Sequence, residues 1–139
     1  LVTSPYFGAK YFTEMKTLSL LALMLVFWAC KTEKIPESPD AWKKIKIDFK
    51  QLDADGLTGS GKNKVAQNYE FCIPAEAKYW KQVKKLDPSA QKNKGKGRVG
   101  CSTEQWLIIG STHQKNHQRV LFQLANLPYV KVIEPTFWE

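Results

Sequence analysis

The chain has 139 residues and a mass of 15.9 kDa, the length of one ordinary domain, which argues against a multidomain enzyme. Apolar residues at 43% and charged residues at 24% exclude a wholly disordered or collagen-like chain. An excess of 21 Lys and Arg over 13 Asp and Glu gives net +8 and a pI near 9.4; this favours anionic partners such as lipid head groups, nucleic acid or acidic polymers without choosing among them.

Residues 1–14 read as an extension upstream of the true start, because Met15-Lys16-Thr17 opens an export-signal pattern. Residues 18–28 follow, apolar except for Ser19, and then Ala29 and Cys30. A helix of that length rises only about 16 Å, short of a hydrocarbon core of roughly 30 Å, so a signal peptide over 15–30 fits better than a spanning helix. Phe27-Trp28-Ala29-Cys30 resembles the cleavage box of bacterial lipoproteins, with Cys30 as the residue to be lipidated. Phe27 and Trp28 depart from the aliphatic and small residues usual there, and ordinary secretion or an uncleaved anchor are the alternatives. Residues 31–43 open with a polar run holding Pro36 and Pro39 and read as a linker.

The folded domain is expected over 44–139. Residues 44–49 alternate, with Ile45, Ile47 and Phe49 on one face, which predicts a half-buried strand before a glycine-rich loop at 53–64. Tyr69, Phe71 and Ile73 alternate in a second strand that stops at Pro74. Helical spacing of Tyr79, Trp80, Val83 and Leu86 follows over 75–86 and ends at Asp87-Pro88, since the residue before proline avoids the α region. After a solvated turn at 92–97, residues 98–101 predict a short strand and the apolar run 106–110 a central one. Ser111-x-x-Gln114 has the spacing of a capping box ahead of a helix with Val120, Leu121, Leu124 and Leu127, closed by Pro128; residues 129–133 make the last strand. The order β-α-β-β-α-β from Tyr69 predicts an α+β fold, a ferredoxin-like sandwich with one extra N-terminal strand.

Two motifs fail on inspection. Gly56-Leu57-Thr58-Gly59-Ser60-Gly61-Lys62 has P-loop spacing, but Asn63 replaces the Ser or Thr that would hold magnesium, and a strand rather than a helix follows. Asp53-Ala54-Asp55-Gly56 has its glycine too early for a calcium loop, and Lys64 stands where a bidentate Glu belongs. Cys72 and Cys101 fall on strands flanking 106–110 in the sheet order 4-1-3-2, about 9.5 Å apart against a limit of roughly 7 Å for a disulfide. Both are therefore expected as buried free thiols.

The best functional constellation is Gly110-Ser111-Thr112-His113-Gln114 at a strand-to-helix junction, where free amides and the positive helix end suit an anion. His113 has the chemistry of an acid or base, and Ser111 that of a nucleophile or donor. The plain alternative is helix capping by Ser111 and Thr112. His113 and His117, four apart, lack the acidic residue of a zinc-binding H-E-x-x-H, so no metal and no cofactor are expected. Lys78, Lys81, Lys84, Lys85, Lys92, Lys94, Lys96 and Arg98 form the densest charge. An RNA-recognition strand needs aromatics where 107–110 is aliphatic, so no nucleic acid is expected; a merely solvated face is the leading reading of the stretch, and contact with an anionic lipid or envelope component is the alternative.

Tyr69-Glu70-Phe71-Cys72-Ile73-Pro74, Asp87-Pro88-Ser89-Ala90-Gln91, Gly97-Arg98-Val99-Gly100-Cys101, Ile109-Gly110-Ser111-Thr112-His113-Gln114 and Tyr129-Val130 with Glu134 together resemble a family of small bacterial proteins of unknown function, some carried behind lipoprotein signals. The resemblance implies no activity to transfer, and it directs attention to Arg98, Ser111, His113 and Gln114. The expectation is a domain tethered to the membrane of the bacterial cell envelope through lipidated Cys30 and acting as a binding module. Its rival is a small enzyme or anion-binding protein using Arg98, Ser111, His113 and Gln114, with Thr112 beside them as a further candidate binding residue.

Overall fold

The computed structural model describes residues 38–137; the proposed extension at 1–14, the signal at 15–30 and Cys30 lie outside the described residues. Among the described residues the fold is α+β, with antiparallel sheets and three α-helices. In chain order these are α1 (Ala41–Lys44), a 3-10 turn (Phe49–Gln51), β1 (Leu57–Thr58), β2 (Val65–Ala66), β3 (Asn68–Pro74), α2 (Ala77–Leu86), β4 (Gln91–Asn93), β5 (Gln105–Ser111), α3 (His117–Ala125) and β6 (Glu134–Thr136). β1 and β2 form a small hairpin, and the other four strands make one sheet in the order β4-β5-β3-β6. No helix among the described residues is long and apolar enough to cross a membrane.

The central pair β3–β5 sets the register, with Tyr69 opposite Gly110, Phe71 opposite Ile108 and Ile73 opposite Trp106. Side chains alternate across a strand, so Tyr69, Phe71, Ile73 and Ile108 share the face that packs on Val83 of α2 and Val120, Leu121 and Leu124 of α3. Glu70 and Cys72 point to the other face. The apolar run at 106–110 sits in the interior of the sheet, between β3 and β4.

The chain departs from the expected elements in four places. The alternation at 44–49 predicts a strand, yet the backbone is helical to Lys44, makes one parallel bridge from Ile45 to Ile133, and turns at Phe49 after Asp48 accepts the Lys50 amide. Ile45 and Ile47 are buried as the pattern requires, so the apolar face is right and the sheet pairing is not. Residues 97–100 form a turn where a strand over 98–101 is expected; the strand is Gln91–Asn93, which overlaps the start of the stretch read as a solvated turn. The last strand is Glu134–Thr136, because Leu127, Val130 and Ile133, spaced three apart, are buried in a turning segment that precedes the β3 pairing.

The fourth correction concerns the cysteines, which are not free thiols. Cys72 and Cys101 are joined in a disulfide with their Cα atoms 5.5 Å apart. A separation of about 9.5 Å holds only with Cys101 in a strand. Cys101 instead lies within the 94–104 loop, which folds back over the second face of the sheet and is held there by Glu70, whose buried carboxyl accepts the amides of Arg98 and Val99.

Candidate functional site

The junction of β5 and α3 is built on a buried polar cluster. Tyr69 reaches up from β3 beneath the helices, and its hydroxyl donates to Asp87 Oδ2 at 2.6 Å. Asp87 is fully buried at the C-terminus of α2, where its extended backbone before Pro88 ends the helix. Its Oδ1 accepts from the Ser89 amide at 2.9 Å, the Ser89 hydroxyl at 2.6 Å and Gln114 Nε2 at 3.1 Å. Gln114 Nε2 also donates to the Ser111 carbonyl at 2.7 Å, and Ser89 Oγ accepts from the Ser111 amide at 2.9 Å. Burial, followed by the negative charge of Asp87, pushes the Tyr69 hydroxyl well above its ordinary pKa, so it stays a donor. Gly110 is required opposite Tyr69, since a Cβ there would run into the Tyr69 ring and stand 2.5 Å from Asp87 Oδ2.

Of the five residues marked by sequence, four are brought together at this junction and Arg98 is not. Thr112 is fully buried; its hydroxyl donates to the Gly56 carbonyl at 2.6 Å and accepts the Gln67 amide at 3.0 Å, stapling the β1–β2 region to the sheet. Ser111 Oγ accepts the backbone amide of His113 at 3.3 Å, so the serine hydroxyl organises the turn and is not bonded to an imidazole. His113 is exposed, and its Nδ1 lies 3.2 Å from the Asp55 carbonyl, which makes Nδ1 the donor in that contact. Gln114 joins the Asp87 cluster. Arg98 docks by its backbone on Glu70, the neighbour of Tyr69 in β3, and so lies across the sheet; its guanidinium stands 5.7 Å over the Phe137 ring.

The capping-box expectation is also revised. The helix begins at His117, three residues beyond Gln114, and its N-cap is Asn116 in the left-handed region with φ 58° and no side-chain cap bond. Two open grooves meet there. One, of about 660 Å³, is lined by Ser89, His113, Gln114, Lys115, Arg119 and neighbours; the other, of about 480 Å³, by Leu52, Asp53, His117 and Gln118 among others, with Asn116 and Arg119 common to both. Asp53 in the second groove is held by the Lys64 ammonium at 2.7 Å and by the amides of Asp55 and Leu57 at 2.9 Å; these, the lysine first, hold its carboxyl down at a pKa of about 2. The loop with P-loop spacing is thus a hairpin folded around Asp53.

Sequence reasoning missed Tyr69, Asp87 and Ser89 as polar partners and Asn116 and Arg119 as groove residues. The Asp-Pro-Ser turn carried the signal for the first set, since aspartate and serine after a helix bond local amides. On the far side of α2 the basic stretch is laid on aromatics: Lys92 Nζ stands 3.7 Å from the Trp106 ring centroid and 5.1 Å from that of Trp80. Among the described residues no group of three His, Cys, Asp or Glu side chains is placed to hold a metal ion. No family model matches the chain, and no curated protein or solved structure is significantly similar to it.

Proposed function

We propose that this chain is a domain of the bacterial cell envelope, tethered to the membrane through lipidated Cys30 and working by binding rather than by catalysis. The observation that carries the reading is the Cys72–Cys101 disulfide, because such bonds persist in oxidising compartments and are rare in the cytosol. It agrees with the export-signal pattern at 15–30. We propose further that the domain is a ferredoxin-like βαββαβ sandwich. In the run β3-α2-β4-β5-α3-β6 the sheet order β4-β5-β3-β6 places the third strand between the first two and the fourth beside the first, as that topology requires. The basic face over Trp80 and Trp106 is the surface offered to an anionic envelope component.

Binding is favoured over chemistry because Ser111 and the His113 ring have separate partners and Arg98 docks on the opposite side of the sheet. An anion-binding version of the junction is the second reading, favoured by the two grooves that meet at Arg119. The localisation is tested by intact mass of the membrane fraction after expression from Met15. The expected species begins at Cys30 and carries acyl mass, and Cys30→Ala releases the chain from the membrane. An unprocessed, soluble chain would overturn the reading and return nucleic acid as a partner for the basic face.

A further inference from the structure

We infer that the basic strip running from α2 round the β4 edge of the sheet is a binding surface for a linear acidic polysaccharide, held on lysine ammonium groups. The partner class deepens the reading of this face proposed above and rests on it.

Between residues 77 and 103 the chain has eight Lys and Arg and a single carboxylate, Asp87, which is fully buried. Of those cations only Lys78 is in an ion pair among the described residues. The fold orders the others into a continuous path. Lys81 and Lys85, four apart, share the exposed flank of α2 away from the buried Val83. Beside them, Trp80 has the Lys84 Nζ 5.8 Å and the Lys92 Nζ 5.1 Å from its ring centroid. Lys92 lies on the edge strand β4 opposite Ile108, so its side chain is on the helix side of the sheet, and its ammonium stands 3.7 Å from the Trp106 centroid. Lys94 and Lys96 follow, both exposed, and at Arg98 the backbone is already docked on Glu70 of the second face. The positive strip therefore passes round a sheet edge, from the helix side to the opposite side.

That path selects among polyanions. A bilayer surface is planar and would meet one side of the edge, whereas a flexible chain can follow both. Seven of the eight cations are lysines, single ammonium groups on flexible stems. They lack the bidentate fork that reads one fixed phosphate or carboxylate, and they suit charge repeated along a polymer. Lys92 stands over both tryptophan rings, which are engaged in cation–π contacts instead of lying bare for a nucleobase to stack on. The Cys72–Cys101 disulfide favours an oxidising compartment, outside the one that holds nucleic acid.

The test is calorimetric titration of the full chain with polyguluronate at several salt concentrations, with uncharged dextran and single-stranded oligothymidine in parallel. Polyguluronate is expected to bind saturably, more weakly as salt rises, and tighter than oligothymidine; dextran should not bind. Lys81→Gln with Lys85→Gln, and Lys94→Gln with Lys96→Gln, each remove exposed ammonium groups from one part of the strip and leave the melting temperature unchanged. Lys84 is kept, because it donates to the Pro88 and Ala90 carbonyls. Each pair should weaken polyguluronate binding about fivefold, and all four changes together about twentyfold. Lys115→Gln with Arg119→Gln removes the same charge at the β5–α3 junction and should change the affinity by less than about twofold. An equal loss in that control would reduce the effect to net charge and overturn the site, as would absent binding or tighter binding of oligothymidine. A loss confined to the Lys81 and Lys85 pair would overturn the path round the edge in favour of a planar anionic surface. Binding is read on the purified chain, so a failed localisation leaves it standing, and failed binding leaves the membrane-fraction mass unchanged.

Discussion

Asp87 gathers four hydrogen bonds from three residues that come from β3, its own turn and the β5–α3 loop. A fully buried carboxyl is costly to place unless its lone pairs are occupied, and here both oxygens accept short bonds. Asp87→Ala would strand the fully buried Tyr69 hydroxyl and take the acceptor from the half-buried Ser89 and Gln114 donors, at a cost of about 2–4 kcal/mol. Asp87→Asn keeps the shape and one acceptor, and the Tyr69 hydroxyl can turn to accept from the new amide, so it should lose only about 1 kcal/mol. Chemical denaturation of the two variants checks the order; equal loss would mean that packing volume, and not the bonds, is what Asp87 supplies.

The loop from β4 to β5 depends on contacts far away in the chain, while the strands it joins depend on local pattern. Tyr69, Phe71 and Ile73 alternate, and their burial on the helix face was legible from that alternation; so was α2, whose end Asp87-Pro88 dictates. Residues 98–101 carry no such local instruction. Their course is set by the Glu70 carboxyl, which takes the Arg98 and Val99 amides, and by Cys72, neither of which a pattern read along the sequence can place beside them. The candidate site divides in the same way: Ser111 to Gln114 stand out as a cluster at a strand end, whereas Asp87 and Ser89 reach it only through the pairing of β4 with β5, which sets Gln91 opposite Ile109. The disulfide spans 29 residues, and loop closure of that size stabilises by about 3.5 kcal/mol in the chain-entropy account. Reduction, or Cys72→Ser with Cys101→Ser, should therefore lower the denaturation free energy by roughly 3 kcal/mol. Amide exchange should quicken first over 94–101 while β3 and β5 stay protected. Uniform loss of protection across the sheet would show that the loop and the sheet unfold as one unit.

Closure of the domain runs through its two ends. Ala41, Ile45 and Ile47 belong to the buried core, and the Ile45–Ile133 bridge ties the entering segment to the approach to β6. Lys44 donates to the Ala125 carbonyl at 2.9 Å, and Trp42 packs its ring 4.7 Å from that of Phe122, so this segment covers the end and one flank of α3. The folded unit thus starts a few residues earlier than the alternation at 44–49 suggests. Two buried isoleucines contribute about 1.5–3 kcal/mol each. With Ala41 and the α3 contacts, the segment supplies a large fraction of the 5–15 kcal/mol that holds an ordinary domain. The three ion pairs among the described residues are all between partly or largely exposed side chains and add little to that total. A chain beginning at Ser38 should melt within a few degrees of the full protein, because it keeps every core residue of the described part. One beginning at Asp48 should show little cooperative melting and a collapsed spread of amide resonances. If the shorter chain kept the melting temperature of the longer, β3, β5 and the two long helices would form a self-sufficient core, and the entering segment would be only a clasp at its edge.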